Sequence, residues 1–290
     1  MKKLVSNISA VLFVILVVVA CANLESGSGT YYVNNITGSD SNDGLTAKTA
    51  WSSLEKASQI DFKAGQKLLL AQGCTFKGKL ELKASGSLDK PVEVSSYNPG
   101  TEESKLPVID AKGFKAAIQI ENGSNFVISN LELTADAGEV QDAEARTKRY
   151  GVWINANQPG DYPNIQLKNL KIHHIFATEN VKGDGQNPTS NMGYGIFVGM
   201  TNRDAIIRNI KIEECSIEMT GHTGIRIFGF GDKTGATYLD NATIINNQLT
   251  NIGGPGMVPG RCENLVVRGN VVNFSGSAAD PRMHNRGSGI

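Results

Sequence analysis

Side chains that could bind or transform a polar ligand recur in the turns next to a series of short apolar strands. Cations, histidines and tyrosines are concentrated at these places, together with one carboxylate. The set is Lys148, Tyr150, Tyr194, His222, Arg261, Asp280, Arg282, His284 and Arg286. Such residue types beside aromatic rings are typical of a cleft that binds sugars, above all uronic or sulfated sugars.

The strands themselves indicate where these groups converge. Trp153, Phe197 and Arg226 each stand between two apolar residues, so the two-residue period of a strand points them outward while their neighbours face the core. Because strands in stacked units lie about 4.8 Å apart, the three side chains should form one outward ladder, with Gln119 before it and Val258 after it. Two aromatic rings on a solvent face must be covered. A loop of the chain or a bound sugar ring could cover them, and both alternatives remain open.

Two kinds of cleavage need groups of these types. A lyase needs a base that removes the proton beside a carboxylate, and cations or Ca²⁺ that stabilise the enolate. A glycoside hydrolase needs two carboxyl groups about 5 to 9.5 Å apart, to which Asp184, Asp232 and Asp280 could contribute. A non-catalytic glycan-binding, adhesive or structural protein needs neither set. The candidate catalytic residues are His222, Arg226, Asp280, His284 and Arg286, and the candidate ligand-binding residues are Lys148, Tyr150, Trp153, Tyr194, Phe197, Arg261 and Arg282.

No metal site is predicted from residue spacing. Asp40, Asn42 and Asp43 could hold Ca²⁺, but a hydrogen-bonded turn explains the same residues, so Ca²⁺ is a cofactor that the sequence leaves open. The cysteines after residue 21 match no metal-site spacing and leave one unpaired. They are Cys74, Cys215 and Cys262. We expect them to be small buried side chains, with Cys215 at an inward position.

The elements that position the candidate residues repeat along the chain. A glycine comes just before the first strand of each unit, and an alanine takes its place in the earliest unit. These markers are Ala117, Gly151, Gly195, Gly224, Gly256 and Gly289, at intervals of 34, 44, 29, 32 and 33 residues. Strand units with a period of this size predict a solenoid, in which each unit buries its apolar face against the next.

The second strand of each unit ends in a turn that is rich in asparagine. Stacked asparagines can bond to one another from unit to unit and satisfy the turn backbone. The residues at this corner are Asn130, Asn169, Asn246, Asn247 and Asn270. We therefore predict a structural role for all five.

The N-terminal part of the chain resembles a known family. The motifs Tyr-Tyr-Val-Asn at 31–34, Gly-Ser-Asp-Ser-Asn-Asp-Gly at 38–44 and Ala-Gly-Gln-Lys-Leu-Leu-Leu at 64–70 resemble the cap and first coils of right-handed parallel β-helix proteins of the pectate-lyase-like group. The resemblance implies an all-β, right-handed parallel β-helix over 66–290 behind a strand–helix cap at 31–65. It also implies a carbohydrate-active protein, although the group includes lyases, hydrolases, epimerases and non-catalytic adhesins. We predict the cap helix over 46–60 from helical spacing.

The first residues are typical of an export signal. Lys2 and Lys3 precede an apolar run at 10–20 that is too short to span a bilayer. The run ends in Val-Val-Ala-Cys, which resembles the bacterial lipobox and implies removal of residues 1–20, lipidation of Cys21 and a tether over 21–30. Because Ala22 rather than aspartate follows the cysteine, the resemblance implies anchoring to the outer membrane.

The formal net charge of zero gives no bulk attraction to nucleic acid. We expect a monomer whose partners are a polysaccharide and, through the lipid, a membrane. A new unit has only begun where the 290 residues end. The sequence therefore suggests the N-terminal part of a longer β-helix, with Met257, Val267 and Val272 facing water in the last layer.

Overall fold

A computed structural model describes residues 29–100, 105–179, 191–232 and 235–283. The described region consists mainly of short strands. They are β1 (Thr30–Val33), β2 (Asp61–Lys63), β3 (Lys67–Ala71), β4 (Thr75–Lys77), β5 (Leu80–Glu81), β6 (Lys83–Ser85), β7 (Val92–Tyr97), β8 (Val108–Asp110), β9 (Ala116–Glu121), β10 (Phe126–Ser129), β11 (Glu132–Asp136), β12 (Lys148–Ala156), β13 (Gly160–Lys168), β14 (Lys171–Phe176), β15 (Met192–Met200), β16 (Ala205–Glu213), β17 (Ser216–Thr220), β18 (Ile225–Phe228), β19 (Phe230–Asp232), β20 (Gly235–Thr237), β21 (Leu239–Ile245), β22 (Gln248–Ile252), β23 (Met257–Gly260), β24 (Cys262–Glu263), β25 (Val266–Arg268) and β26 (Val271–Ser275). The described helices are α1 (Leu54–Ser58) and the 3₁₀ helices Ala47–Thr49 and Ala143–Arg146.

Three parallel sheets are built from strands that the chain visits in turn. Sheet 1 has the order β5, β9, β12, β15, β18, β23. Sheet 2 has the order β1, β3, β7, β10, β13, β16, β21, β24, with β25 also paired to β21, and sheet 3 has the order β4, β8, β11, β14, β17, β22, β26. From β9 onward each coil passes from sheet 1 to sheet 2 to sheet 3. The predicted parallel β-helix is therefore confirmed.

The core is a stack of inward-facing aliphatic side chains. In sheet 1 the fully buried residues Val152, Ile196 and Ile225 lie in register on successive strands. Burial of each side chain of this size stabilises the folded protein by roughly 1.5 to 3 kcal/mol relative to leaving it exposed. The same alternation that buries these residues turns the residue after each of them outward, and this fixes the outer face of sheet 1.

The marker glycines lie at the corner where sheet 3 leads into sheet 1. A Cβ at Gly195 would come within 2.5 Å of the Gly224 carbonyl oxygen and 2.6 Å of the Ile217 side chain. Gly151 and Gly224 meet the same obstacles on their own coils, namely the next marker glycine and a sheet 3 side chain. The glycine repeat is thus required by close packing between two coils and two sheets.

The predicted asparagine corner is observed between sheets 2 and 3. Asn169 Nδ2 donates a hydrogen bond to Asn130 Oδ1 at 2.7 Å, and both residues have the positive φ that asparagine tolerates. Asn247 turns inward instead and donates to the Ile212 carbonyl at 3.0 Å. The side chains therefore satisfy turn backbone as well as one another.

A second and longer asparagine ladder runs along sheet 2, just before β10 and at bends within β13, β16 and β21, where the sequence predicts none. Asn164 donates to Asn125 Oδ1 at 2.6 Å, Asn209 donates to Asn164 at 2.9 Å, and Asn241 donates to Asn209 at 2.7 Å. All four have φ between 53° and 60°. Each asparagine here both bends the chain and binds the next coil.

The cap differs from the predicted continuous helix over 46–60. The chain forms a 3₁₀ turn at Ala47–Thr49, then extends through Trp51, and only Leu54–Ser58 is α-helical. Trp51 forms a bridge with Val33 of β1, and its ring stacks on Tyr31 with centroids 5.1 Å apart. The chain at Trp51 therefore pairs with β1 as an extended segment, although the spacing of its apolar residues is helical.

In the last described coil, the side chains expected to face water are more covered than predicted, whereas Val266, Val271 and Phe274 are exposed. Met257 is buried, and Val267 and Val272 are half-buried against the core rather than open to water. Cys215 and Cys74 are buried as predicted, whereas Cys262 is only partly buried. No helix in the described ranges is long and apolar enough to cross a membrane.

Candidate functional site

The outward ladder on sheet 1 forms as the strand pattern predicts. Trp153 pairs with Gln119 on one side and Phe197 on the other, Phe197 pairs with Arg226, and Arg226 pairs with Val258. The five side chains therefore stand on consecutive strands of one face.

Two tyrosines extend this ladder into a patch. Tyr150 and Tyr194 lie in register on β12 and β15, and their rings stack with centroids 5.3 Å apart. The Phe197 ring meets both, at 5.4 Å from Tyr150 and 5.9 Å from Tyr194. Together with His222 and Arg226, these rings and Trp153 form what we call the aromatic–arginine patch. The tyrosines belong to the strands and not to the preceding turns, because β12 begins at Lys148 and β15 begins at Met192.

Most of the aromatic surface in the patch is covered. Trp153 is 8% exposed, Tyr150 5% and Tyr194 4%. Lys115 Nζ lies 3.6 Å from the centroid of the Trp153 ring, and the same ammonium is paired with Glu144. Contacts within the protein therefore occupy Trp153. Phe197, His222 and Arg226 remain partly exposed and are the members that a ligand can reach.

Arg226 carries a charge that the described residues do not neutralise. Its Nε is buried and has no hydrogen-bond partner, and no carboxylate in the described region pairs with it. Its guanidinium lies 4.8 Å from the Phe228 ring centroid, and the guanidinium of Arg261 lies 4.6 Å from the same ring. A buried donor without a partner carries a desolvation cost of about 1 to 3 kcal/mol.

The tyrosines and His222 supply possible proton donors and acceptors. Burial raises the pKa of Tyr150 and of Tyr194, and the nearby Arg226 charge offsets part of this effect. Both hydroxyls thus stay protonated at neutral pH. The His222 ring lies 5.4 Å from the Tyr194 ring, and its Nδ1 is 2.7 Å from Thr223 Oγ1.

Asp280 and Arg282 are engaged with each other and not with the patch. Arg282 donates to both carboxylate oxygens of Asp280, at 2.9 and 2.8 Å, and to Asp136 of β11 at 2.5 Å. Its guanidinium also lies 3.9 Å from the Phe176 ring centroid. The hydrogen bonds from Arg282 lower the pKa of Asp280, which is opposite to the shift that a general acid needs. Asp280 and Arg282 are therefore not free to act on a ligand. Their ion pair, together with the bond from Arg282 to Asp136, attaches the segment after β26 to β11.

The other candidates are dispersed. Lys148 is exposed at the start of β12, and Asp232 ends β19 in a hairpin with β20. His284, Arg286, Asp184 and Cys21 lie outside the described residues.

Two contributors were missed by sequence reasoning. Phe228 follows Arg226 by two residues, so strand alternation could have placed it on the same outward face. Lys115 precedes β9 in a turn, and no spacing signal relates it to Trp153.

The possible Ca²⁺ ligands are used in a turn. Asp40 Oδ1 accepts hydrogen bonds from the backbone of Ser52 and Ser53 at 2.9 and 3.0 Å. Asp43 Oδ1 accepts from Leu45 N at 3.0 Å and from a threonine hydroxyl. These contacts lower the pKa of Asp43. No group of three or more His, Cys, Asp or Glu side chains suited to a metal occurs in the described part of the chain.

Comparisons with known proteins identify the fold. No protein-family model and no curated protein sequence matches the chain. The structure is similar to GH136 lacto-N-biosidase from Eubacterium ramulus. The match to its selenomethionine derivative has a TM-score of 0.65 and 21% identity, and it covers 81% of this chain and 43% of that chain. The match to the native protein has a TM-score of 0.57 and 16% identity, and it covers 85% of this chain and 56% of that chain. A rhamnogalacturonan lyase matches with a TM-score of 0.49 and 15% identity over 87% and 64%. The chain thus spans about half the length of the lacto-N-biosidase.

Proposed function

We propose that this protein binds and depolymerises an acidic polysaccharide along the aromatic–arginine patch. The observation that carries the proposal is Arg226, a partly exposed arginine with an unpartnered buried Nε beside Phe197 and the tyrosines. A uronate carboxylate or a sulfate would supply the missing negative charge at the exposed part of this side chain. The Phe197 ring offers an apolar surface for the C–H groups of the same sugar.

β-Elimination is the cleavage that the patch favours. In this reaction His222 would take the proton beside the sugar carboxylate, Arg226 would stabilise the enolate, and the protonated His222 or a water molecule would give a proton to the departing glycosidic oxygen. Support comes from the partial exposure of His222 and Arg226 and from the position of the His222 ring, 5.4 Å from the buried Tyr194 ring. Hydrolysis would need two available carboxyl groups. Among the candidates for this role whose side chains the structure describes, Asp280 is in an ion pair, and so are Glu144 and Asp136 nearby.

The similarity in fold to a lacto-N-biosidase supports a role in carbohydrate chemistry and no particular substrate. A non-catalytic protein that binds the same glycan would use Phe197 and Arg226 in the same way. Product formation separates this alternative from the lyase.

The test compares Arg226→Ala and Arg226→Lys with Arg268→Ala, which removes an exposed arginine from β25. Binding to a panel of uronic and sulfated glycans is measured by calorimetry. We expect Arg226→Ala to lose about 10- to 100-fold in affinity, as a charge-assisted hydrogen bond implies, Arg226→Lys to lose less, and Arg268→Ala to match the wild type. Equal affinity of Arg226→Ala and the wild type would refute the proposed site.

Cleavage is followed in the same samples through absorbance at 232 nm for unsaturated products and through reducing ends for hydrolysis. Loss of the 232 nm signal in His222→Gln with retained binding would support elimination. Reducing ends without that signal would indicate a hydrolase, and binding without product would indicate a non-catalytic receptor.

We also propose that the protein is held at the outer membrane through lipidated Cys21. The proposal relies on the lipobox-like residues 18–21 and on Ala22. Such an anchor would keep a polysaccharide-binding β-helix at the cell envelope.

A further inference from the structure

A separate pocket lies at the N-terminal end of the corner between sheets 3 and 1. It encloses about 620 Å³, which is within the range of small-molecule sites and has room for about two sugar rings. Its walls come from the start of α1 and from the turns that follow β4, β8 and β11.

Backbone hydrogen bonds between coils build these walls. Gly78 N donates to the Asp110 carbonyl at 2.9 Å, Gly113 N donates to the Ala137 carbonyl at 2.8 Å, and Gln141 N donates to the Gly113 carbonyl at 2.9 Å. Each turn is thus pinned to the turn of the next coil. Hydrogen bonds within the protein therefore hold the lining turns of the pocket in place.

The charges in the lining balance. Three lysines, Lys77, Lys79 and Lys112, face three carboxylates, Glu55, Asp110 and Glu139, which gives a formal sum of zero. Lys79 is further neutralised, because its Nζ lies 2.7 Å from Glu81 and 3.3 Å from Asp142. This lining offers no net attraction to an anion, in contrast to Arg226.

The lining combines one aromatic ring with flexible donors and acceptors. Phe114 is half-buried and lines the pocket together with Lys112, Glu139 and Gln141. Sugar hydroxyls both donate and accept hydrogen bonds, so a wall that holds ammonium, carboxylate and amide groups can match them. The Lys79 ammonium lies 5.8 Å from the centroid of the Phe114 ring, and the apolar face of a sugar ring can lie on the part of the phenyl group that this contact leaves open. The chemistry is that of a neutral carbohydrate.

The pocket adjoins the aromatic–arginine patch but is distinct from it. Asp142 separates the two, since its carboxylate contacts Lys79 on the pocket side and accepts a hydrogen bond from Lys115 N at 3.0 Å. The Lys115 ammonium then covers Trp153 on the patch side. A ligand in the pocket therefore does not occupy Arg226.

We propose that this pocket is a second saccharide site that binds a neutral mono- or disaccharide unit, with Phe114 as its stacking surface. The site does not depend on the activity assigned to the aromatic–arginine patch. The probes are lactose and cellobiose, with digalacturonate as the acidic comparator, and binding is measured by saturation-transfer NMR and calorimetry.

Phe114→Ala is expected to weaken binding of the neutral disaccharides by about ten-fold. Glu139→Gln, which changes an exposed side chain without affecting the core, is expected to weaken it by about five-fold. Tyr238→Ala removes an exposed aromatic ring elsewhere and should leave binding unchanged. Arg226→Ala should also leave it unchanged, so failure of this site and failure of the acidic-glycan site are distinguishable.

The proposal is overturned if neither lactose nor cellobiose binds, or if Glu139→Gln and Phe114→Ala both bind them like the wild type. It is also overturned if digalacturonate displaces the neutral sugars with higher affinity, since the lining would then favour an anion. A thermal melt of each variant shows whether Phe114→Ala is folded. If Phe114→Ala is not folded, the Glu139→Gln result decides the test, because Glu139 is exposed and its substitution does not affect the core.

Discussion

Arginine side chains take opposite roles in this molecule according to the acceptors around them. The guanidinium of Arg282 is surrounded by carboxylates of Asp280 and Asp136, so its hydrogen bonds are internal and hold a segment in place. Arg226 has an aromatic neighbour and an unpartnered Nε in place of a carboxylate. Because Arg226 is partly exposed, a ligand can reach its unpaired charge, whereas Arg149, which also has a buried nitrogen without a partner, is fully buried. This contrast is the reason for assigning ligand recognition to Arg226 and not to Arg282 or Arg149.

Gly195 offers a sharp test of the close packing at the corner between sheets 3 and 1. Alanine there would place its Cβ 2.5 Å from the Gly224 carbonyl oxygen and 2.6 Å from Ile217. We expect Gly195→Ala to lower the free energy of unfolding by about 2 to 3 kcal/mol through overpacking. The measurement is chemical denaturation of the purified protein.

The matched control is Gly73→Ala. A Cβ at Gly73 meets nothing within 4 Å, although its φ of +78° is strained for alanine. This variant should lose about 1 kcal/mol from backbone strain alone. Equal losses in the two variants would show that coil-to-coil contact does not explain the glycine repeat.

At the scale of elements, the asparagine ladder along sheet 2 links consecutive coils in addition to the pairing of the strands. Asn164 accepts from Asn209 and donates to Asn125, so one side chain joins three coils. Its φ of +60° also sets the turn. Both functions belong to the same residue, and two substitutions can separate them.

We expect Asn164→Ala to destabilise the fold by about 2 to 3 kcal/mol, because it loses the ladder hydrogen bonds and strains the left-handed turn. Asn164→Gly keeps the turn conformation accessible and should lose only about 1 kcal/mol. Thermal unfolding followed by circular dichroism gives the comparison. If the glycine variant were the less stable of the two, the left-handed turn would not be the main contribution of Asn164.

The sequence predicts those parts of the fold in which a local rule repeats. The alternation of apolar and other residues along the strand predicts that Trp153 faces outward. The spacing of the units predicts its neighbours Gln119 and Phe197, so the outward ladder could be derived from the sequence. The cap helix could not, since helical spacing at Trp51 competes with pairing to β1, which is a contact outside any local window.

Long-range contacts account for what the sequence did not predict in the site. The contact of Arg282 with Asp136 joins residues 146 positions apart, and no periodicity relates them. The cover over Trp153 comes from Lys115, a turn residue with no motif. Residue types were therefore sufficient to nominate candidates, whereas their availability depended on partners elsewhere in the chain.

At the scale of the whole molecule, the β-helix presents two adjoining surfaces with different charge. The aromatic–arginine patch has in Arg226 a cation that no carboxylate of the described residues pairs with, and the N-terminal pocket has a balanced lining. A polysaccharide that contains both acidic and neutral sugars could contact both surfaces at once, with an affinity gain from the effective concentration of the second contact. Parallel coils keep the two surfaces at a fixed distance, because each turn is pinned to the next.

Where the molecule resides decides which polysaccharide it meets, and the residues around Cys21 make this testable. A lipidated cysteine carries several acyl chains, and each buried CH₂ contributes about 0.8 kcal/mol to membrane binding. We therefore expect the wild type to sediment with outer-membrane vesicles and Cys21→Ala to appear in the soluble periplasmic fraction when expressed in a Gram-negative host. Cys262→Ala, which changes a half-buried cysteine of the β-helix, should sediment like the wild type.

Ala22→Asp should keep the lipid but move the protein to the inner membrane, as the sorting rule implied by the lipobox resemblance requires. Membrane retention of Cys21→Ala would refute the anchor, and an unchanged location of Ala22→Asp would refute sorting by the residue after the cysteine.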